Sequence, residues 1–279
     1  MLILACGPLG NAADTTARIK AALESAPYIA AEDSRKLSRL TSDLGIRYEG
    51  KVISYFEGNE SERIDQLTEI LKSGDDLLVI TDAGAPGISD PGYRLIRSAI
   101  ENQIPIQVLP GPSAVTTSLL LSGLATDRFC FEGFAPRTSG TRKSWYEKLL
   151  KEERTIIFFE APHRLQESLR DAVEVLGEDR KAAICREMTK TYEETIRGTL
   201  GELLEWSTDR EILGELTLVL AGFDLATQSY STDQMIELVR AREVAGEARK
   251  EAIAQVAKDL NLPKRVVFDA MVSAKPAER

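Results

Sequence analysis

Leu77-Leu78-Val79-Ile80, then Asp82-Ala83-Gly84-Ala85-Pro86-Gly87-Ile88-Ser89-Asp90-Pro91-Gly92, then an apolar helical pattern opening near Arg94, is the stretch that decides the fold. The eleven residues from Asp82 to Gly92 hold three glycines and two prolines. Proline removes an amide donor and glycine costs backbone entropy, so no regular element continues through them. A strand that ends in such a loop and feeds a helix places the loop at the carboxyl end of an open α/β sheet. Small ligands sit there, against backbone N–H and C=O groups.

Outward from this loop, short apolar runs alternate with helical periodicity. Strands are predicted at Leu2 to Cys6, Tyr28 to Ala31, Val52 to Ser54, Leu77 to Thr81 and Ile106 to Leu109. Helices are predicted at Thr15 to Ser25, Lys36 to Leu44, Glu60 to Lys72 and Tyr93 to Asn102. The alternation implies a parallel sheet covered on both faces. Pro110-Gly111-Pro112 punctuates the chain, and Ser113 can cap a small-residue helix from Ala114 to Ser122.

From Phe129 the texture changes. Strands are expected at 129–134, 155–160, 182–187, 194–198 and 216–222, and helices at 141–153, 162–176 and 200–207. The two β runs flanking Thr189-Lys190-Thr191 are close enough to be antiparallel neighbours, which gives a mixed α/β sheet. Asp224 to Thr232 is polar and aperiodic, as a linker would be. From Asp233 the tail is helical, with Ala248, Ala252, Ile253, Val256, Ala257 and Leu260 on one face, a turn at Asn261-Leu262-Pro263, and a last helix through Met271. Helix, turn, helix fits a DNA-binding module and a plain packing unit equally. The expected organisation is an α/β domain over 1–112, a second over 113–223, and a helical segment over 233–279.

With 279 residues, 43% of them hydrophobic, the chain can build more than one core. No apolar run approaches the ~18 residues of a membrane span. Met1 to Cys6 has no basic stretch, so an unsecreted, cytoplasmic protein with no membrane contact is expected. Cys6, Cys130 and Cys185 are scattered within apolar stretches and read as reduced thiols. A net charge of −9 opposes general nucleic-acid binding, so any RNA contact needs a local basic patch. Between Arg137 and Arg154 six cations face three glutamates, which fits such a patch or a solvated helix face.

Several site types are missing. There is no P-loop, no G-x-S-x-G elbow and no dinucleotide fingerprint, since Gly7-Pro8-Leu9-Gly10-Asn11 breaks the glycine spacing. The lone histidine, His163, and the dispersed cysteines give no metal site. What remains is three small-residue loops, 7–11, 82–92 and 110–114, which share one rim if their strands are adjacent. They would form a pocket of main-chain groups with few charges.

Taken together, the chain resembles the tetrapyrrole-methylase fold, and within it the ribosomal RNA small-subunit methyltransferase I family. The resemblance runs from Leu2 through Gly222. It is carried by Pro8-Leu9-Gly10-Asn11, Ala30-Ala31-Glu32-Asp33-Ser34-Arg35, Asn59-Glu60, the 82–92 loop, Pro110 to Ala114, Glu132-Gly133-Phe134, Pro162-His163-Arg164, Arg186-Glu187 and Gly214-Glu215. Three departures stand out. Gly7 and Ala85 replace usual threonines, and Phe56 and Gly58 occupy a segment that normally carries histidines, which removes a histidine base there.

The resemblance implies two α/β domains with S-adenosylmethionine in the cleft between them, and methylation of the ribose 2′-oxygen of a decoding-centre cytidine in 16S rRNA. It also implies a homodimer acting on the small ribosomal subunit. The methyl donor would be touched by Pro8, Gly10, Asp82, Gly84, Ile88, Ser89, Pro110, Ser113 and Ala114. Asp33 and Glu60 are candidates to orient or deprotonate the hydroxyl; equally, Asp33 can pair with Arg35 and Glu60 can cap a helix. Arg35, Arg137, Arg142, Lys143, His163 and Arg164 are the candidate RNA contacts. A tetrapyrrole methylase of the same fold, or a ligand-sensing DNA-binding regulator, are the rival readings.

Overall fold

The computed structural model describes residues 1–223, 231–260 and 262–273. Most of the expected linker, 224–230, and Asn261 of the expected turn lie outside the described residues. The chain divides into two compact units, Met1–Gly222 and Phe223–Arg279.

The first unit opens with five parallel strands, β1 (Leu2–Ala5), β2 (Tyr28–Ala31), β3 (Lys51–Ser54), β4 (Leu77–Ile80) and β5 (Ile106–Leu109), in the order β3-β2-β4-β1-β5. Leu2 pairs with Leu77 on one side and Ile106 on the other. Strands covered on both faces read as unbroken apolar runs, which is why LILA and LLVI carry no polar residue. The helices between them are α1 (Ala17–Ser25), α2 (Ser34–Asp43), α3 (Glu60–Lys72) and α4 (Tyr93–Glu101). Leu67, Leu71, Leu95 and Ala99 pack on one face of the sheet, and Ile19, Leu23 and Leu37 on the other. Each such leucine or isoleucine, fully buried, contributes about 1.5–3 kcal/mol.

Because β4, β1 and β5 are adjacent, the three small-residue loops do share a rim. Gly84 N donates to Gly7 O at 3.2 Å, tying the loop after β4 to the loop after β1. Gly111 is packed so closely on the end of β1 that a Cβ would stand 2.2 Å from Cys6 O. Only glycine fits there.

After α5 (Ala114–Ser122) comes a second sheet of β6 (Phe129–Phe134), β7 (Thr155–Glu160), β8 (Lys181–Arg186), β9 (Glu194–Thr199) and β10 (Leu216–Leu220), ordered β6-β7-β10-β8-β9. β6 and β7 are parallel and the remaining pairs antiparallel, including the expected β8–β9 pair. Helices α6 (Ser139–Leu149), α7 (Leu165–Leu176) and α8 (Leu200–Trp206) surround a core holding Tyr146, Phe158, Leu169 and Leu218. The predicted helix from Pro162 begins instead with a 3₁₀ turn, Pro162–Arg164. Cys6 and Cys185 are buried and Cys130 half-buried, all as free thiols.

The second unit contains α9 (Thr232–Val244), α10 (Arg249–Asp259) and α11 (Lys264–Ser273), packed together through Val239, Ile253, Val256, Val267 and Met271. The helical pattern from Asp233 is interrupted at Gly246, which adopts φ +97. Two of its arginines are spent on carboxylates: Arg242 on Glu247 and Asp259, and Arg249 on Glu243, each at 2.7 Å. That pairing takes Arg242 and Arg249 out of any contact with a DNA backbone. Among the described residues no helix is long and apolar enough to cross a membrane.

Candidate active site

Two adjoining cavities lie on the loop rim of the first unit, with volumes of about 700 Å³ and 420 Å³. They share Leu9, Glu32, Lys36, Asp82, Ala83 and Glu215. Pro8 and Gly10 line the larger, Asp82 lines both, and Gly84, Ile88, Ser89, Ser113 and Ala114 line the smaller. Pro110 lines neither. The second sheet closes the smaller cavity with Phe134, Phe159, Glu160 and Pro162 and with residues 214–217.

The 82–92 loop is held by its own geometry. Gly84, Gly87 and Gly92 adopt φ of +67, +86 and +142, and Ser89 is left-handed at +61. Gly87 N donates to Pro91 O at 3.1 Å, and a Cβ on Gly92 would come 2.9 Å from Gly87 N. A non-glycine residue at positive φ is uncommon, and such strain gathers where surrounding structure imposes it.

The expectation of a pocket with few charges is corrected. Five carboxyl groups line the smaller cavity (Glu32, Asp82, Asp90, Glu160 and Glu215) against Lys36 as its only cation. The sequence hid this because Glu32, Glu160 and Glu215 come from three separate strand ends. Glu32 Oε2 accepts from Asp82 N at 3.0 Å, and Asp82 pairs with Lys36 at 2.9 Å. Burial pushes the Glu32 carboxyl up, and the Lys36 ammonium is raised by its own hydrogen bond to the Asp82 carboxylate. Such a lining favours a ligand that carries positive charge and opposes a phosphate.

The two candidate bases are otherwise engaged. Asp33 lines the larger cavity, but its carboxylate accepts from Arg35 N at 2.8 Å and pairs with the Arg35 guanidinium at 2.7 Å. The Arg35 side-chain hydrogen bond lowers the Asp33 carboxyl to about 2, which makes it a poor proton acceptor. Glu60 lines neither cavity. Its Oε1 accepts from Tyr55 Oη at 2.8 Å and from Gly92 N at 3.0 Å, so it anchors the end of the 82–92 loop. Glu60→Ala orphans both donors and is expected to cost about 1–3 kcal/mol in urea denaturation. Glu60→Gln keeps an acceptor and should retain both stability and catalytic activity; a general base would not survive that change.

The candidate RNA contacts separate as well. Arg35, Arg137 and His163 are exposed, and Lys143 is partly exposed, paired with Glu174 at 2.7 Å. Arg164 is mostly buried on Glu160 at 2.7 Å. Arg142 is corrected outright: its side chain is 0% exposed and its guanidinium pairs with Asp171 at 2.7 Å. It is a core cation and presents nothing to RNA.

Comparison with known proteins agrees with this geometry. The sequence model of the Tetrapyrrole (Corrin/Porphyrin) Methylases matches residues 1–204. A protein of Mycobacterium tuberculosis (strain H37Rv) called ribosomal RNA small subunit methyltransferase I is 44% identical over 275 residues, 98% of this chain and 95% of its own length. A Bacillus subtilis (strain 168) protein of the same name is 40% identical over 97% of this chain and 93% of its own. Among solved structures, uroporphyrin-III C-methyltransferase from Thermus thermophilus, complexed with S-adenyl homocysteine, superposes with a TM-score of 0.56 at 16% identity, over 78% of this chain and 95% of that one. With matches of this extent on a fold of two such sheets, the chain belongs to the tetrapyrrole methylase family and, within it, to the ribosomal RNA small subunit methyltransferase I family.

Proposed function

We propose that the protein transfers the methyl group of S-adenosylmethionine to the ribose 2′-oxygen of a decoding-centre cytidine in 16S rRNA, acting on the small ribosomal subunit as a cytoplasmic homodimer. The observation that carries this reading is the 44% identity along 98% of the chain with a protein named for small-subunit rRNA methylation. The residues present fit the donor. When bound, S-adenosylmethionine supplies an electrophilic methyl on a positively charged sulfonium, and the acidic lining from Glu32, Asp82 and Glu215 offsets that charge.

The chain's own part is placement. Gly84, free of a side chain and with no heavy atom nearer its missing Cβ than Leu9 Cδ2 at 3.8 Å, leaves room for a ligand against the backbone. Fixed loops that align donor and acceptor supply much of such a barrier by orientation. Phe134 and Phe159, whose ring centroids are 5.4 Å apart, give the smaller cavity an apolar wall that excludes water. Arg35, Arg137, Lys143 and His163 are the side chains proposed to reach phosphates, contacts that set position and carry no base information. Arg164 is retained as a proposal only through the buried Glu160 pair it forms beside the cavity.

Purified protein with labelled S-adenosylmethionine is expected to label small subunits, or their RNA, from a strain lacking the modification, with the label recovered as 2′-O-methylcytidine after nuclease digestion. Transfer to a porphyrinoid and none to the subunit would overturn the reading in favour of a tetrapyrrole methylase.

A further inference from the structure

We propose that Tyr192, on the wall of the larger cavity, is the stacking platform that receives the base of the target cytidine once that base has left the RNA stack; this rests on the ribose-methylation reading above. The smaller cavity carries most of the loop residues and the apolar wall assigned to the methyl donor, which leaves the larger, of about 700 Å³, to the acceptor. That volume suits a single small molecule and not a helical stem, so the nucleoside enters alone and parts from its neighbours in the chain.

The charge of the larger cavity decides which part of a nucleotide it admits. Six carboxylates line it against three cations. Each cation is already committed: Lys36 to Asp82 at 2.9 Å, Arg39 to Asp43 at 4.0 Å, and Lys190 to Glu187 at 2.9 Å and to Glu215 at 3.1 Å. Such a lining repels phosphate and accepts the uncharged base and ribose.

A base drawn out of its stack loses its π contacts, and an aromatic face replaces them. Tyr192 is the one aromatic residue that lines the larger cavity. At 71% exposure it is the most exposed aromatic among the described residues, and among them it has no ring partner. The protein core makes no use of this ring.

The turn that carries Tyr192 is nevertheless firmly set. Glu187 and Thr189 stand at φ +50 and +67, and for β-branched threonine that is a conformation the surroundings must impose. Lys190 N donates to Glu187 O at 3.0 Å, and Glu193 N donates to Lys190 O at 3.1 Å, closing the chain around Thr191 and Tyr192. The Lys190 stem lies so close over Gly10 that a Cβ there would stand 2.3 Å from Lys190 Cγ. The turn between β8 and β9 is thereby held against the loop after β1, on the rim shared by both cavities. A ring mounted on a fixed turn spends little conformational entropy when a base stacks on it.

Tyr192→Ala is the test, made in the full-length protein with small subunits as acceptor. A fall in kcat/KM of about 10- to 100-fold is expected, the range that base–aromatic stacking spans. The melting temperature should be kept, because the ring is exposed, and the Kd for S-adenosylmethionine by calorimetry should stay within about threefold of wild type. Tyr192→Phe and Tyr192→Trp retain a ring face and should hold kcat/KM within about threefold of wild type, whereas Tyr192→Leu, which keeps apolar bulk without a ring, should fall as Tyr192→Ala does. An unchanged kcat/KM in Tyr192→Ala, a Tyr192→Leu as active as Tyr192→Phe, or a rise in the S-adenosylmethionine Kd that matches the loss of rate overturns the role of Tyr192 alone. Wild-type protein that methylates no ribose overturns the underlying reading instead.

Discussion

Replacing Arg142 with alanine is expected to lower the stability of the first unit by about 3–5 kcal/mol, the usual consequence of removing one partner from a buried ion pair. Arg142 Nε donates to Asp171 Oδ2 at 2.8 Å, and Nη1 reaches Pro136 O at 3.2 Å and Arg137 O at 3.3 Å. Asp171, only 5% exposed, also accepts from Ser139 Oγ at 2.8 Å. The pair therefore clamps α6 to α7 and to the segment after β6. Without the guanidinium, the Asp171 charge stays buried and three acceptors lose their donor. Urea denaturation followed by circular dichroism measures the loss. The double variant Arg142→Met, Asp171→Leu should recover much of it, because an apolar pair of similar volume leaves no orphaned charge. An RNA contact would behave in the opposite way: Arg142→Ala would keep its denaturation midpoint and lose affinity for the small subunit, and that outcome would refute the structural role.

Gly84→Val carries the second large effect, a rise of about 100-fold in the Kd for S-adenosylmethionine, equivalent to about 2.7 kcal/mol. Gly84 sits at φ +67 with its N–H tied to Gly7 O, and the space where a side chain would project is cavity. A β-branched residue there both occupies that space and resists the left-handed backbone by about 1–2 kcal/mol. The strain needs its own control. Gly123 caps α5 at φ +70 with no atom within 4 Å of a built Cβ and lines neither cavity. Gly123→Val should lose similar stability and bind S-adenosylmethionine as wild type does. Calorimetry on both variants separates strain from occupancy, and unchanged affinity in Gly84→Val would remove the loop from the donor site.

Much of the architecture was legible because it is written in local patterns. Apolar runs of strand length, helical periodicity and the glycine-proline loops placed the ten strands near their observed bounds, and the short Thr189-Lys190-Thr191 link predicted the antiparallel β8–β9 pair. Element ends drifted where caps decide them: Asp33 accepts from Arg35 N and starts α2 two residues before the pattern suggested. The loop residues expected at the donor site came together around the cavities, with Pro110 outside, because β4, β1 and β5 are neighbours.

The charged residues were not legible in the same way. Glu60 looked like a base and proved to hold Gly92, 32 residues away. Arg142 looked like part of a basic surface and proved to neutralise Asp171, 29 residues away. Asp90 lies inside the opening loop, and its surroundings come from Asp82 of the same loop and from Glu32 and Glu215 at other strand ends. By itself the sequence determined the elements, the loop rim and the family, since backbone conformation answers to near neighbours in the chain. Only the tertiary structure decided which carboxylates stand together and which arginine is buried. Coulomb energy and desolvation depend on distance in space, and residues far apart in the chain set both.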